Sequence, residues 1–213
     1  TGGDFKRTLG LSGDLIEAVS KLRAGSQRSI DVVALRLTDF DGREVTKAFI
    51  NIPSFGIGGV TDKLVNETPK WLGGKTSFFL GSVRAMLQYR NEQVRVVVDG
   101  TTFVEGPVFN VALANGRYFG GGMMVAPKAD PSDGLLDVVS LGDMSRVEAL
   151  SLSGKIYEGT HLAHPKVASM RGVLVEATPA RKSQRVLLDM DGETPGMLPI
   201  TARVLPGAVQ VRT

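Results

Sequence analysis

Apolar and polar positions along the chain change period several times. LIEAVSKLRAG, residues 15–25, has apolar residues at helical spacing and ends in Gly25, which predicts a helix with a glycine stop. IDVVALRL (30–37) and VTKAFINI (45–52) are short and β-branched, and the Asp41-Gly42 pair between them reads as a hairpin turn. SFGIGGVTDKLVNE (54–67) reads as a glycine-rich connection. KTSFFLGSVRAMLQYRNE (75–92) returns to helical spacing, with Phe79, Val83, Met86 and Leu87 on one stripe.

From Val94 onward the period is mostly two. VRVVVDGTTFVEGPVFNVALANG (94–116) holds an Asp-Gly turn between strand-like runs. GLLDVVSLG, GVLVEATP, RVLLDMDGE and ARVLPGAVQVRT continue the series, with one helical stretch near 145–158. Many short strands with Asp-Gly and Pro-Gly punctuation predict a mainly β, α+β protein: an antiparallel sandwich or barrel rather than a parallel sheet.

Composition narrows the class. An apolar fraction of 42% and a charged fraction of 22% suit a soluble globular protein. The chain has no apolar run near the roughly 18 residues of a membrane span and opens with no signal-peptide pattern. The absence of cysteine excludes disulfides and thiolate metal sites. A formal charge of +3, spread over scattered sites such as Lys21, Arg23, Arg181, Lys182 and Arg185, argues against nucleic acid as a partner. The same small excess suits transient contact with an anionic membrane surface.

The candidate chemistry is carboxylate chemistry. In RVLLDMDGETPGMLP (185–199), Asp189, Asp191 and Glu193 fall within five positions. A strand running through all three would put them on one face, where like charges persist only in water, near a cation, or at a site that raises one pKa. The competing reading is a strand end meeting an Asp-Gly turn. APKADPSDGLLDV (126–138) repeats the theme with Asp130, Asp133 and Asp137: either oxygen ligands for a hard cation or a polar turn. NGRYFGGGMMVAP (115–127) is glycine-dense but lacks the P-loop pattern, and reads as a tight, bulged turn. TGGDF opens the chain as a glycine-rich turn that could cradle phosphate only with a helix directly after it. HLAH (161–164) is a weak candidate for paired metal ligands, with no third ligand nearby.

Taken in order, these stretches resemble the diacylglycerol kinase catalytic family of lipid kinases, which includes sphingosine and ceramide kinases. TGGDFKRTLG resembles the end of that family's glycine-rich nucleotide motif, with Gly3 where the family usually has Asn. AFINIPSFGIGGVTDKL resembles its Phe-x-Asn strand and glycine turn. NVALANGRYFGGGMMVAPKADPSDGLLDVV resembles its triple-glycine and Asp-Gly-Leu-Leu-Asp stretch, and LLDMDGE its Asp-Gly-Glu.

The resemblance implies a two-domain fold like that of NAD kinases, with an upstream nucleotide loop that these residues do not contain. Residues 1–28 would be the tail of the nucleotide-binding α/β domain. Residues 29–213 would form the β-rich C-terminal domain, its last strand free to return to the first. It further implies ATP and Mg²⁺ as cofactors, with Asp191 and Glu193 in catalytic roles. Thr1, Gly2, Gly3 and Asp4 would lie on the nucleotide side. Asp130, Asp133 and the carbonyl of Leu135 would hold a structural Mg²⁺. The implied activity is transfer of the ATP γ-phosphate to a lipid hydroxyl such as that of diacylglycerol, by a cytoplasmic protein peripheral to the membrane. The 213 residues alone would be inactive, and a homodimer stays open. A kinase of a soluble acceptor such as NAD, or a non-catalytic lipid-binding module, are the rival readings.

Overall fold

The computed structural model describes residues 2–11, 13–61 and 89–212. Two helices come first, α1 (Gly2–Thr8) and α2 (Leu15–Ala24). The strands β1 (Gln27–Thr38), β2 (Glu44–Phe49) and β3 (Ser54–Gly56) follow, then β4 (Glu92–Val98), β5 (Thr101–Val108), β6 (Asn110–Ala114) and β7 (Leu136–Leu141). Helix α3 (Arg146–Glu158) precedes β8 (Val167–Gly172), β9 (Leu174–Pro179), β10 (Leu187–Met190) and β11 (Glu193–Arg212).

The strands pair antiparallel in one branched sheet, in the order β5-β4-β9-β11-β10-β3-β6-β7-β8, with β1 joined to β11 and β2 to β1. The 20-residue β11 makes the branching possible. It carries β10 on its first third and β9 in its middle, while β1 runs along the other side from Gln27 to Thr38. The sheet therefore folds over itself into an antiparallel β-sandwich. Its core draws Val33, Leu35 and Leu37 from β1, Val94, Val96 and Val98 from β4, and Ile200, Ala202 and Val204 from β11. Period-two alternation places each set on the inner face. In β6 and β7 every residue is buried, because the 115–129 loop packs Val125, Ala126 and Ala129 on their outer side.

The helix ends obey local chemistry. Asp14 caps α2 by accepting from the amides of Ile16 and Glu17. Gly25 stops it in an extended conformation, φ −70°, so its freedom to go left-handed is not used there. Ser145 and Glu148 form a reciprocal capping box on α3, and Gly159 ends that helix left-handed at φ 72°.

Three expectations need correction. The opening GGDFKRT is not a glycine turn but α1 itself. The connection at 54–67 begins as β3, a fully buried strand, because Ser54 and Phe55 find partners in both β10 and β6. Of the helix expected at 75–92, residues 75–88 lie outside the described residues; Tyr89–Asn91 are not helical and Glu92 opens β4.

Candidate functional site

The acidic stretch does not run as one strand. β10 ends at Met190, Asp191 and Gly192 turn left-handed at φ 58° and 80°, and Glu193 opens β11 opposite Met190. An Asp-Gly pair in that conformation matches the twist of two antiparallel strands and reverses the chain. The three acids are therefore not aligned on one strand face. Asp189 sits within β10, Asp191 on the turn and Glu193 on the returning strand.

Each acid has a distinct setting. Asp189 pairs in register with Ser54 and accepts its hydroxyl proton at 3.2 Å. Beside it Asn110 Oδ1 takes the amide of Gly58 at 3.2 Å, and any side chain at Gly58 would collide with Ser54 Oγ. Buried Ser54 and Asn110 thus tie β10, β3 and β6 together through polar contacts. Asp191 is exposed at the turn yet partly sheltered from water. That desolvation, with the charge of Glu193, pushes its carboxyl above the ordinary Asp value. A raised carboxyl beside a second one on a rigid hairpin is suited to taking a proton from a hydroxyl.

α1 is locked to the triple-glycine turn. Buried Asp4 pairs with Arg7 at 2.9 Å through one oxygen and accepts the Gly121 amide at 2.8 Å through the other. Thr8 Oγ1 accepts the Arg117 amide at 2.9 Å. The glycine turn is thus bulged and tight as expected, with Gly120, Gly121 and Gly122 all at positive φ. Gly2 and Gly3 lie within α1, and a side chain at Gly3 would meet open space. Thr1 lies outside the described residues.

Asp130, Asp133 and Leu135 do share one turn. Asp130 Oδ1 accepts from the Ser132 amide at 3.0 Å and from Arg28 Nη2 at 2.6 Å. Asp133 Oδ1 accepts from the Leu135 amide at 3.0 Å, and its Oδ2 from Arg171. Arg171, on β8, also reaches Asp137 at 3.2 Å. Burial holds the Asp137 carboxyl above its ordinary value, while Arg171 opposes that shift. Among the described residues no group of three or more His, Cys, Asp or Glu is gathered for a metal. Asp130, Asp133 and the Leu135 carbonyl are oxygens of the type a hard cation takes, and Arg28 and Arg171 compete for the two carboxylates.

HLAH does not assemble a metal site. His161 is fully buried with Nε2 3.0 Å from the Val125 carbonyl, and burial lowers its pKa. His164 Nδ1 instead accepts the Lys166 amide at 3.2 Å.

Pattern reading passed over Asp31, Ser54, Asn110 and Arg171. Asp31 is the clearest case: a buried carboxylate at the irregularity of β1, taking the amides of Gly134 and Gly207, both at 2.7 Å. Its signal was an acid interrupting the β-branched run IDVVALRL. It anchors the Asp130–Leu135 turn to the sheet.

Residues 51–213 match the family described as YegS C-terminal NAD kinase beta sandwich-like domain. A diacylglycerol kinase of Mycobacterium tuberculosis is 27% identical over 99% of this chain, which spans 66% of that protein. A diacylglycerol kinase of Bacillus subtilis is 27% identical over 93% of the chain, which spans 62% of its length. In architecture the chain is similar to a diacylglycerol kinase of Bacillus anthracis, with TM-score 0.62 at 16% identity, covering 98% of this chain and 62% of that one. It also resembles yeast NADH kinase, with TM-score 0.52 at 9% identity, covering 95% and 49%. These last two likenesses concern the fold.

Proposed function

The chain belongs to the YegS C-terminal NAD kinase beta sandwich-like domain family, and we propose that it is the β-rich part of an ATP-dependent lipid kinase. Relatives named diacylglycerol kinase support the acceptor class, a lipid hydroxyl such as that of diacylglycerol. The observation that carries the reading is the Asp191-Gly192-Glu193 hairpin, with two carboxylates on a rigid turn and the pKa of one raised.

In this reading the pair Asp191 and Glu193 takes the proton of the lipid hydroxyl as its oxygen bonds to the γ-phosphorus. The bond from that phosphorus to the β–γ bridging oxygen breaks, and ADP leaves. Phosphoryl transfer asks the protein for positioning and charge compensation more than for covalent chemistry. The hairpin supplies positioning because β10 is held on both sides, by β3 and by β11.

Residues 1–28 form the end of the nucleotide-binding unit in this proposal, and Thr1, Gly2, Gly3 and Asp4 are assigned to its nucleotide side by the family resemblance. Asp130, Asp133 and the carbonyl of Leu135 would hold Mg²⁺, whose chemistry at that turn is charge compensation and loop order. The lipid would be met at a membrane surface from the cytoplasmic side. Among the described residues no helix is long and apolar enough to cross a membrane.

The test is transfer of labelled phosphate from ATP to a panel of lipids and to NAD, with the full-length protein and its Glu193→Gln variant. Labelling of a lipid, lost by roughly a hundredfold or more in the variant, is the expected result. Labelling of NAD alone would move the protein to the soluble-acceptor class. Lipid binding without any transfer would make it a binding module.

A further inference from the structure

Helix α3 is apolar on two opposite sides. Inward, Ala149, Leu152 and Ile156 pack with Phe109, Leu141 and Met144. Outward, Val147, Leu150 and Tyr157 are 78%, 65% and 51% exposed. At 3.6 residues per turn these three fall within about 80° of one another, a stripe along the outer face. A helix apolar on both sides ordinarily has a partner on each.

The stripe continues into an open groove of about 470 Å³. Tyr89, Phe109 and Met144 give the groove its apolar side, Arg90 and Arg146 its cationic side against one acid, Asp143, which accepts from Asn91 at 2.6 Å, and Val147 is shared by groove and stripe. Arg146 and Lys155 flank the stripe, both exposed. Among the described residues neither they nor Arg90 form an ion pair with a carboxylate. Of the two acids in the helix, Glu148 is neutralised by Lys166 at 2.6 Å. Glu158 remains at the far end, holding the Thr160 hydroxyl at 3.5 Å.

We propose that the outer face of α3 docks on an anionic lipid bilayer, its stripe entering the headgroup boundary while Arg90, Arg146 and Lys155 meet lipid phosphates. The proposal rests on the lipid-kinase reading, for which it names the surface that meets the membrane. A short apolar stripe edged by cations is the chemistry of an interfacial helix. A second copy of the chain is the poorer occupant, since three side chains on one 13-residue helix fall well short of the roughly 1,200 Å² that a stable interface buries.

The experiment is sedimentation of the full-length protein with two kinds of vesicle, phosphatidylcholine alone and equal parts phosphatidylcholine and phosphatidylglycerol. The parent is expected on the anionic vesicles far more than on the neutral ones. Leu150→Glu should weaken that binding about tenfold or more, through the lost burial of one leucine. Arg146→Gln with Lys155→Gln should weaken it about tenfold or more on anionic vesicles only. Because these positions are exposed, and the bond lost is that of Arg146 Nη2 to the Tyr89 carbonyl at 3.3 Å, the melting temperature should change little, and the glutamine pair serves should Leu150→Glu fail to fold.

Parent protein that ignores both vesicles overturns the proposal, as do variants that bind like the parent. Loss of a dimer in Leu150→Glu, without change in vesicle binding, assigns the face to a second copy instead. Phosphate transfer to a short-chain acceptor dispersed in detergent separates the two readings. Turnover there with unaltered vesicle binding by Leu150→Glu sinks the docking proposal alone, and no turnover on any lipid sinks the kinase reading.

Discussion

Asp4 takes the amide proton of Gly121 at 2.8 Å, although 117 positions separate them in the chain. Its other carboxylate oxygen holds Arg7 at 2.9 Å. Asp4 is thereby the bolt between α1 and the triple-glycine turn, its own carboxylate buried while Arg7 stays largely exposed. Asp4→Ala is expected to cost about 2 kcal/mol, since a partly buried amide loses a charged acceptor. Urea unfolding measures this directly. Unchanged stability would leave Asp4 with only a nucleotide-side role.

The raised carboxyl of Asp191 has a consequence for stability. A carboxyl whose folded pKa lies above its unfolded one binds its proton more tightly when folded. Its effect is therefore unfavourable once pH has risen from the ordinary carboxylate range through the folded value. Asp191→Asn should raise the melting temperature at neutral pH and not in acid, because Asn tolerates the left-handed φ of 58°. The same variant should lose phosphate transfer. A variant less stable at neutral pH would mean that the charge is satisfied as it stands.

Magnesium should act on the Asp130–Leu135 turn. A site there stabilises the protein by about 1.4 kcal/mol for each tenfold excess of Mg²⁺ over its dissociation constant. The melting temperature should rise with added MgCl₂ in the parent and stay flat in Asp133→Asn. Arg171→Gln should strengthen the response by removing the guanidinium that competes for Asp133. A parent that ignores MgCl₂ would leave the turn a purely arginine-held element.

The cap of α3 carries a pH signature of the opposite sign. Glu148 is held down to about 2 by Lys166 and by the Ser145 amide and hydroxyl. Its stabilisation is present above the ordinary Glu range and is lost as pH falls toward that value. Glu148→Gln should thus be less stable than the parent near neutrality and equal to it in strong acid, read by urea unfolding at each pH. A gap that persists in acid would locate the effect in the helix rather than in the charge.

Much of this protein is written in local pattern. The β-branched runs of β1, β4 and β7, the Asp-Gly turns at 41–42 and 99–100, and the extents of α2 and α3 follow from period, turn chemistry and caps. These are decided by residues within a few positions of each other, so the chain states them directly. The ordered motifs were enough to point to the family for the same reason.

Other features depended on residues far apart in sequence. That β11 pairs with β1, β9 and β10 at once, that Ser54 meets Asp189, and that Arg28 and Arg171 close the Asp130–Asp133 turn all rest on register across the sheet. GGDFKRT could be read as a loop until Asp4 found Gly121, and three acids could be aligned on one strand until the chain turned at Asp191. A buried carboxylate, a packed glycine or a two-faced helix takes its meaning from what lies opposite it. Only the folded sheet supplies that neighbour, because hydrogen bonds and desolvation act through space and not along the chain.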